Sequence, residues 1–323
     1  MRKIKQIFRY IQIFSTFLYV LFNKIHYLCI QNRETNIKMK RGLVLEGGAM
    51  RGLFTSGIID VMMDAGIKPD GLIGVSAGAA FGCNYKSHQK GRAIRYNKRF
   101  CKDWRYCSLR SLIKTGDLYG AEFCYDTLPN QLDIFDTATY RTNPMKFYCV
   151  ASNCETGKPV YKELETCDAK DLTWMRASAS MPLASKIVEV DGYKLLDGGM
   201  TDSIPLKYFE EIGYQKNLVI LTQPKNFSKS PNKLIGLMKI ALRKYPALVE
   251  AMSQRHIVYN QEKEYVFRQE EKGAAFVICP EKDLGISRTE NNPDELDRVY
   301  NEGRRIAETR LVEIKKYLPS SYF

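Results

Sequence analysis

The chain has 323 residues, 45% apolar and 11% aromatic, so it can bury a large core and is not a disordered polymer. Its nine cysteines are odd in number and form no Cys-x-x-Cys pair, which argues against a disulfide framework or a zinc site and for reduced thiols in a cytoplasmic setting. The net charge of +13 sits in blocks that attract phosphate on lipid or nucleic acid: eight Lys/Arg against one Glu in residues 1–40, and ten against Asp103 in residues 86–114.

Residues 1–39 read as a leader. Arg2, Lys3, Lys5 and Arg9 precede an uncharged run from Tyr10 to Asn23, shorter than the ~20 residues needed to cross a bilayer. No small-residue cleavage site follows. The segment is an optional extension, a membrane-surface anchor or a signal, and carries no chemistry in any of these readings. A domain opening near Met39 follows, with a first strand over Leu43–Glu46 that runs into Gly47-Gly48-Ala49-Met50-Arg51-Gly52.

A helix is predicted over Leu53–Ala65, stopped by Gly66, and a second strand over Gly71–Val75. Helical stretches fill much of 76–135. Lys146–Ser152 and Lys158–Lys162 flank a hairpin turn at 153–157, and Ile187–Val190 and Tyr193–Leu196 flank Asp191-Gly192. Leu172–Ala179 reads as a helix ended by Pro182. Leu218–Leu221 and Ala275–Ile278 are buried-strand runs. Asn292-Pro293-Asp294-Glu295 caps a last helix carrying apolar residues as far as Leu318. Alternating strands and helices imply an α/β fold, with a mainly parallel central sheet.

Gly74-Val75-Ser76-Ala77-Gly78 places a serine on a tight strand-to-helix turn with its hydroxyl exposed. A serine needs a neighbouring base, and the oxyanion it generates needs preorganised donors. The loop over Gly47–Gly52 joins a strand end to a helix start, so its N–H groups suit that duty. It lacks the Gly-Lys-Ser/Thr ending of a phosphate loop. Two bases are candidates: His256, in a stretch that reads as a charged helix surface, and Asp197, which follows a strand and precedes Gly198-Gly199. Asp197 is better placed, and partial burial would raise its pKa toward useful basicity.

The three motifs at 47–52, 74–78 and 197–199, with Ala177-Ser178-Ala179-Ser180-Met181-Pro182 ahead of the aspartate, resemble the patatin-like phospholipase family over roughly residues 41–210. The resemblance implies a three-layer α/β/α fold and acyl-ester hydrolysis. It assigns Ser76 as nucleophile, Asp197 as base, and Gly47, Gly48, Ala49 and Arg51 as the oxyanion hole. Ala49 departs from the third glycine of many members, which matters only if φ there must be positive.

The expected organisation is a leader (1–39), a catalytic core (40–225) and a C-terminal helical region with one added strand (226–323). The expected function is a serine lipid acyl hydrolase acting on phospholipid or lysophospholipid, without cofactor or metal. The alternatives are an acyltransferase or thioesterase using the same pair, or a non-catalytic membrane or regulatory adaptor. The expected location is cytoplasmic, peripheral at the inner membrane. The aromatic-rich basic run at 85–114 reads as a solvated helix face over buried aromatics or as a dock for anionic lipid. Nucleic acid is disfavoured because no recognised module accompanies the charge.

Overall fold

Leu43, Val44 and Leu45 are each fully buried, yet they serve two cores. Leu43 and Leu45 pack with Leu53, Phe54 and Leu296, while Val44 packs with Ile73, Phe209 and Val266. A strand changes side at every residue, so an apolar run buried on both faces marks the middle layer of a three-layer fold. The computed structural model describes residues 39–319 and Lys24; the expectations for the leader lie outside the described residues.

The middle layer holds β1 (Lys40–Leu45), β2 (Gly71–Val75), β3 (Lys146–Asn153), β4 (Pro159–Glu163), β5 (Val188–Val190), β6 (Tyr193–Asp197), β7 (Tyr214–Ile220) and β8 (Ala275–Ile278). Their order is β5-β6-β3-β2-β1-β7-β8, with β4 paired to β3. The pairs β1–β2, β2–β3, β1–β7 and β7–β8 are parallel. The hairpins β3–β4 and β5–β6 and the β3–β6 pair are antiparallel. The fold is the mainly parallel α/β/α sandwich that the strand–helix alternation predicts.

One face carries α1 (Gly52–Asp64), α2 (Ala77–Lys86), α3 (Arg92–Phe100), a π-helix (Phe123–Leu132) and α6 (Ala169–Ser178). Between them lie α4 (Leu109–Thr115) and α5 (Thr137–Thr142). The other face carries α7 (Leu206–Glu211) and the 26-residue α9 (Pro246–Glu271), with α8 (Ile235–Ala241) before it. The predicted last helix is two, α10 (Pro293–Thr309) and α11 (Leu311–Tyr317), because the chain leaves helical geometry at Arg310. Asn292 caps α10 as expected, its side chain accepting from the Asp294 N–H.

The region after 226 is built into this frame. β8 extends the sheet beside β7, and α10 lies on α1 with backbone against backbone. A Cβ at Gly303 would fall 2.0 Å from the Phe54 carbonyl oxygen, and one at Gly57 would fall 2.1 Å from that of Tyr300. No described helix is long and apolar enough to cross a membrane.

Much of the basic run is paired within the fold. Arg92 and Arg95 meet Asp133 at 3.2 and 2.8 Å, Lys90 meets Asp64 at 2.6 Å, and Lys98 pairs with Asp297. Tyr96, Phe100 and Tyr106 are buried beneath. The acids that answer these charges come from distant parts of the chain, so the local imbalance overstates what the surface presents.

Candidate active site

Strand pairing brings the two key residues together. Residues 148–150 of β3 bond to β2 and β4 at once, and residues 151–152 bond to β4 and β6. Since a strand has two edges, β2 and β6 share one edge of β3, end to end. β2 stops at Val75 opposite Val150, and β6, running the other way, stops at Asp197 opposite Ala151. The two strand ends therefore meet head-on, and Ser76 and Asp197 are the residues at the junction. The Ser76 hydroxyl lies close enough to the Asp197 carboxyl to favour its ionised form.

Ser76 has φ 54° and ψ −121°, a strained conformation for a residue with a Cβ, which turns its hydroxyl away from the sheet. Its glycines hold the turn by close approach: a Cβ at Gly78 would fall 2.4 Å from the Leu45 carbonyl, and one at Gly74 2.5 Å from that of Gly78. The Ser76 N–H donates to Ser178 Oγ at 2.9 Å, and the Asp197 N–H donates to the Ser180 carbonyl at 2.7 Å. The 177–182 segment thus clamps both residues, a role that its sequence did not disclose.

The Asp197 side chain accepts from the Gly199 N–H at 2.8 Å and is almost fully buried. Burial pushes its carboxyl above the ordinary carboxylate range, against the opposing pull of Arg255, the Ser76 hydroxyl and the Gly199 N–H.

The loop after β1 lies against Ser76: a Cβ at Gly47 would sit 2.9 Å from Ser76 Cβ. Among the described residues, the N–H groups of Gly47, Gly48 and Ala49 donate no hydrogen bond and remain available. Ala49 has φ 48°, so the residue replacing a third glycine does occupy left-handed backbone, at a cost of about 1–2 kcal/mol. Arg51 leaves this loop with its buried Nε unpartnered.

A cavity opens beside Ser76 toward Phe81, Tyr96, Tyr106, Leu128 and Met175. The cavity holds about 120 Å³, and its walls are mainly apolar.

His256 lies on α9, half-buried with Nδ1 unpartnered rather than on an open charged surface. Among the described residues, no hydrogen bond joins it to Ser76 or Asp197. Its neighbour Arg255 is the residue that reaches the site, with Nε donating to the Gly199 carbonyl. Lys229 stacks on the Tyr259 ring at 4.1 Å, and Tyr259 donates to the buried Glu46 at 2.8 Å. Burial, with Arg255, Arg51 and Arg288 nearby, lowers the Lys229 pKa to about 8. Among the described residues, Arg51, Lys229, Arg255 and Arg288 form no ion pair. Sequence reading missed Lys229, Arg255 and Arg288, for no motif marks them.

Fold and site together define a three-layer α/β protein with a strained strand-end serine beside a buried carboxylate. The chain belongs to the patatin-like phospholipase family, whose model matches residues 43–210. Residues 245–319 match a domain of unknown function, DUF6363. The uncharacterized protein YjjU of Escherichia coli K12 is 27% identical over 287 residues, covering 85% of this chain and 78% of its own. Lysophospholipase nte1 of Aspergillus oryzae is 28% identical over 179 residues, 53% of this chain but only 11% of that protein. Among solved structures, VipD from Legionella pneumophila aligns with a TM-score of 0.42 at 15% identity, over 85% of this chain and 67% of that one. At the level of the family, the protein is a lipid hydrolase.

Proposed function

We propose that the protein hydrolyses carboxylic esters of phospholipids or lysophospholipids through Ser76 and Asp197. Ser76 Oγ attacks the acyl carbonyl carbon while Asp197 takes the hydroxyl proton. The resulting oxyanion is held by N–H groups of Gly47, Gly48 and Ala49, with Arg51 beside them; one such donor is worth about 3–4 kcal/mol in the transition state. Collapse expels the alcohol, which leaves with the proton from Asp197. Water then attacks the acyl-serine, again giving its proton to Asp197, and the acid departs as Ser76 Oγ takes that proton back.

The observation that carries this reading is the juxtaposition of Ser76 and the buried Asp197 at meeting strand ends, with Ser76 in the wall of an apolar cavity suited to an acyl chain. Among the described residues, Arg255 and Arg288 add unpaired positive charge beside Asp197, with Lys229 near both, which suits a phosphate-bearing headgroup. The neighbouring lysophospholipases fit the same substrate class.

The test is a fluorophosphonate probe combined with a lipid panel resolved by mass. Wild type is expected to label and to release fatty acid from lysophospholipid, while Ser76→Ala does neither. Equal labelling of Ser76→Ala would exclude Ser76 as the nucleophile. Acyl transfer to an added alcohol in place of hydrolysis would convert the reading to a transacylase.

A further inference from the structure

Two short helices expose large apolar side chains on either side of one segment. On α8, Leu234 just before it, Leu237 and Ile240 are 54%, 54% and 72% exposed. On α4, Leu109 and Ile113 are 72% and 85% exposed. Both helices lean on residues 183–187, which also contribute Ser185 to the cavity beside Ser76. The Leu118 N–H, just after α4, donates to the Ala184 carbonyl at 2.8 Å, and Gly116 lies against the Lys186 side chain. Leu183 and Ile187 pack with Met238 and Leu242 of the α8 region, in a cluster that includes Leu196 and Met200 around Asp197.

The charge around these side chains has one sign. From Ile212 to Val249 the sequence holds seven Lys/Arg and no acid. Beside α4, Arg110 and Lys114 lie over the Trp104 ring at 4.5 and 5.2 Å. Among the described residues, neither makes an ion pair, unlike Arg92 and Arg95 earlier in the same basic run.

Apolar residues flanked by cations and an interfacial tryptophan match the boundary of a bilayer with anionic headgroups. The charge disfavours the other occupants. The chain's own leader, seven cations to one acid, would be repelled. A second copy would oppose the same sign to itself.

We propose that α4 and α8 form a two-part docking face that seats the protein on an anionic lipid surface, with the segment 183–187, which reaches the Ser76 cavity through Ser185, between them. The proposal rests on surface chemistry and does not require the Ser76–Asp197 reading. Salt should weaken docking, because exposed charges are screened beyond roughly 10 Å at 0.1 M ionic strength.

The experiment is flotation of the full chain, as Ser76→Ala so that lipid is not consumed. Vesicles are phosphatidylcholine alone, or phosphatidylcholine with about one third phosphatidylglycerol. Binding is expected only to the anionic vesicles. It should weaken at least about tenfold in L237E/I240E and in L109E/I113E, and to a similar extent in K233Q/K239Q/R243Q. These positions are exposed, so the variants should keep the wild-type melting temperature. In the Ser76 background they should hydrolyse a soluble short-chain ester normally. Wild-type binding by either Glu pair, or equal binding to both vesicle types, would overturn the proposal.

Discussion

The site has two halves of different origin. Ser76, Asp197 and the 47–51 loop hang on strand ends and glycine contacts within the family-matched segment, where backbone geometry leaves little freedom. Lys229, Arg255 and Arg288 come from beyond it, on α9 and the connections around it, and reach the same place as side chains. The difference teaches that a candidate centre fixed by the sheet can be surrounded with charge by elements that the sheet does not specify. On this division, changes to the first half should abolish turnover of every ester, while changes to the second should sort substrates by charge.

The largest effect is expected at the strand ends. Ser76→Ala should lower kcat by at least about 10⁴-fold on charged and neutral esters alike. Asp197→Asn should cost about 10²–10⁴-fold, whereas His256→Ala should stay within about twofold. A folded His256→Ala protein as inactive as Asp197→Asn would assign the base to the wrong residue.

Gly303→Ala should come next, through stability. A Cβ there collides with the Phe54 carbonyl at 2.0 Å, so urea unfolding should show a loss of about 1–3 kcal/mol or more. Unchanged stability would mean that α10 is not seated on α1 as described.

The charge half predicts a smaller, selective effect. Lys229→Gln with Arg288→Gln should raise KM for a lysophospholipid about tenfold and leave a neutral monoacylglycerol unchanged. Equal losses on both substrates would erase the division.

Acidity should separate the halves as well. Because burial raises the Asp197 pKa, the carboxylate is lost, and kcat/KM falls, at higher pH than for an ordinary aspartate near 3.9. At the other end, Lys229 discharges as pH passes about 8, so KM for the phosphate-bearing substrate should climb there. That climb should vanish in Lys229→Gln. The smallest effect is Ala49→Gly, which should stabilise by about 1 kcal/mol by relieving left-handed backbone.

Much of the strand-and-turn frame was legible in the sequence because its constraints are local. Gly71–Val75 and Ala275–Ile278 are strands as read, and the Asp191-Gly192 turn is made by two residues with positive φ. The long last helix was misjudged because apolar periodicity continues across Arg310 while the backbone does not. The basic run at 86–114 misled for the opposite reason. Counting charges along the chain cannot register Asp64, Asp133 and Asp297, which answer them from elsewhere.

The sequence by itself determined the residue types, the order of strands and helices, and a serine on a glycine-bounded turn, since turn chemistry and alternation act over a few residues. Only the tertiary structure decided that β2 and β6 end against each other on one edge of β3, so that a serine and an aspartate 121 positions apart come side by side. It also decided that Arg255, and not its neighbour His256, faces that pair. Strand register and helix rotation are settled by packing against partners far away in the chain, and no local pattern carries that information.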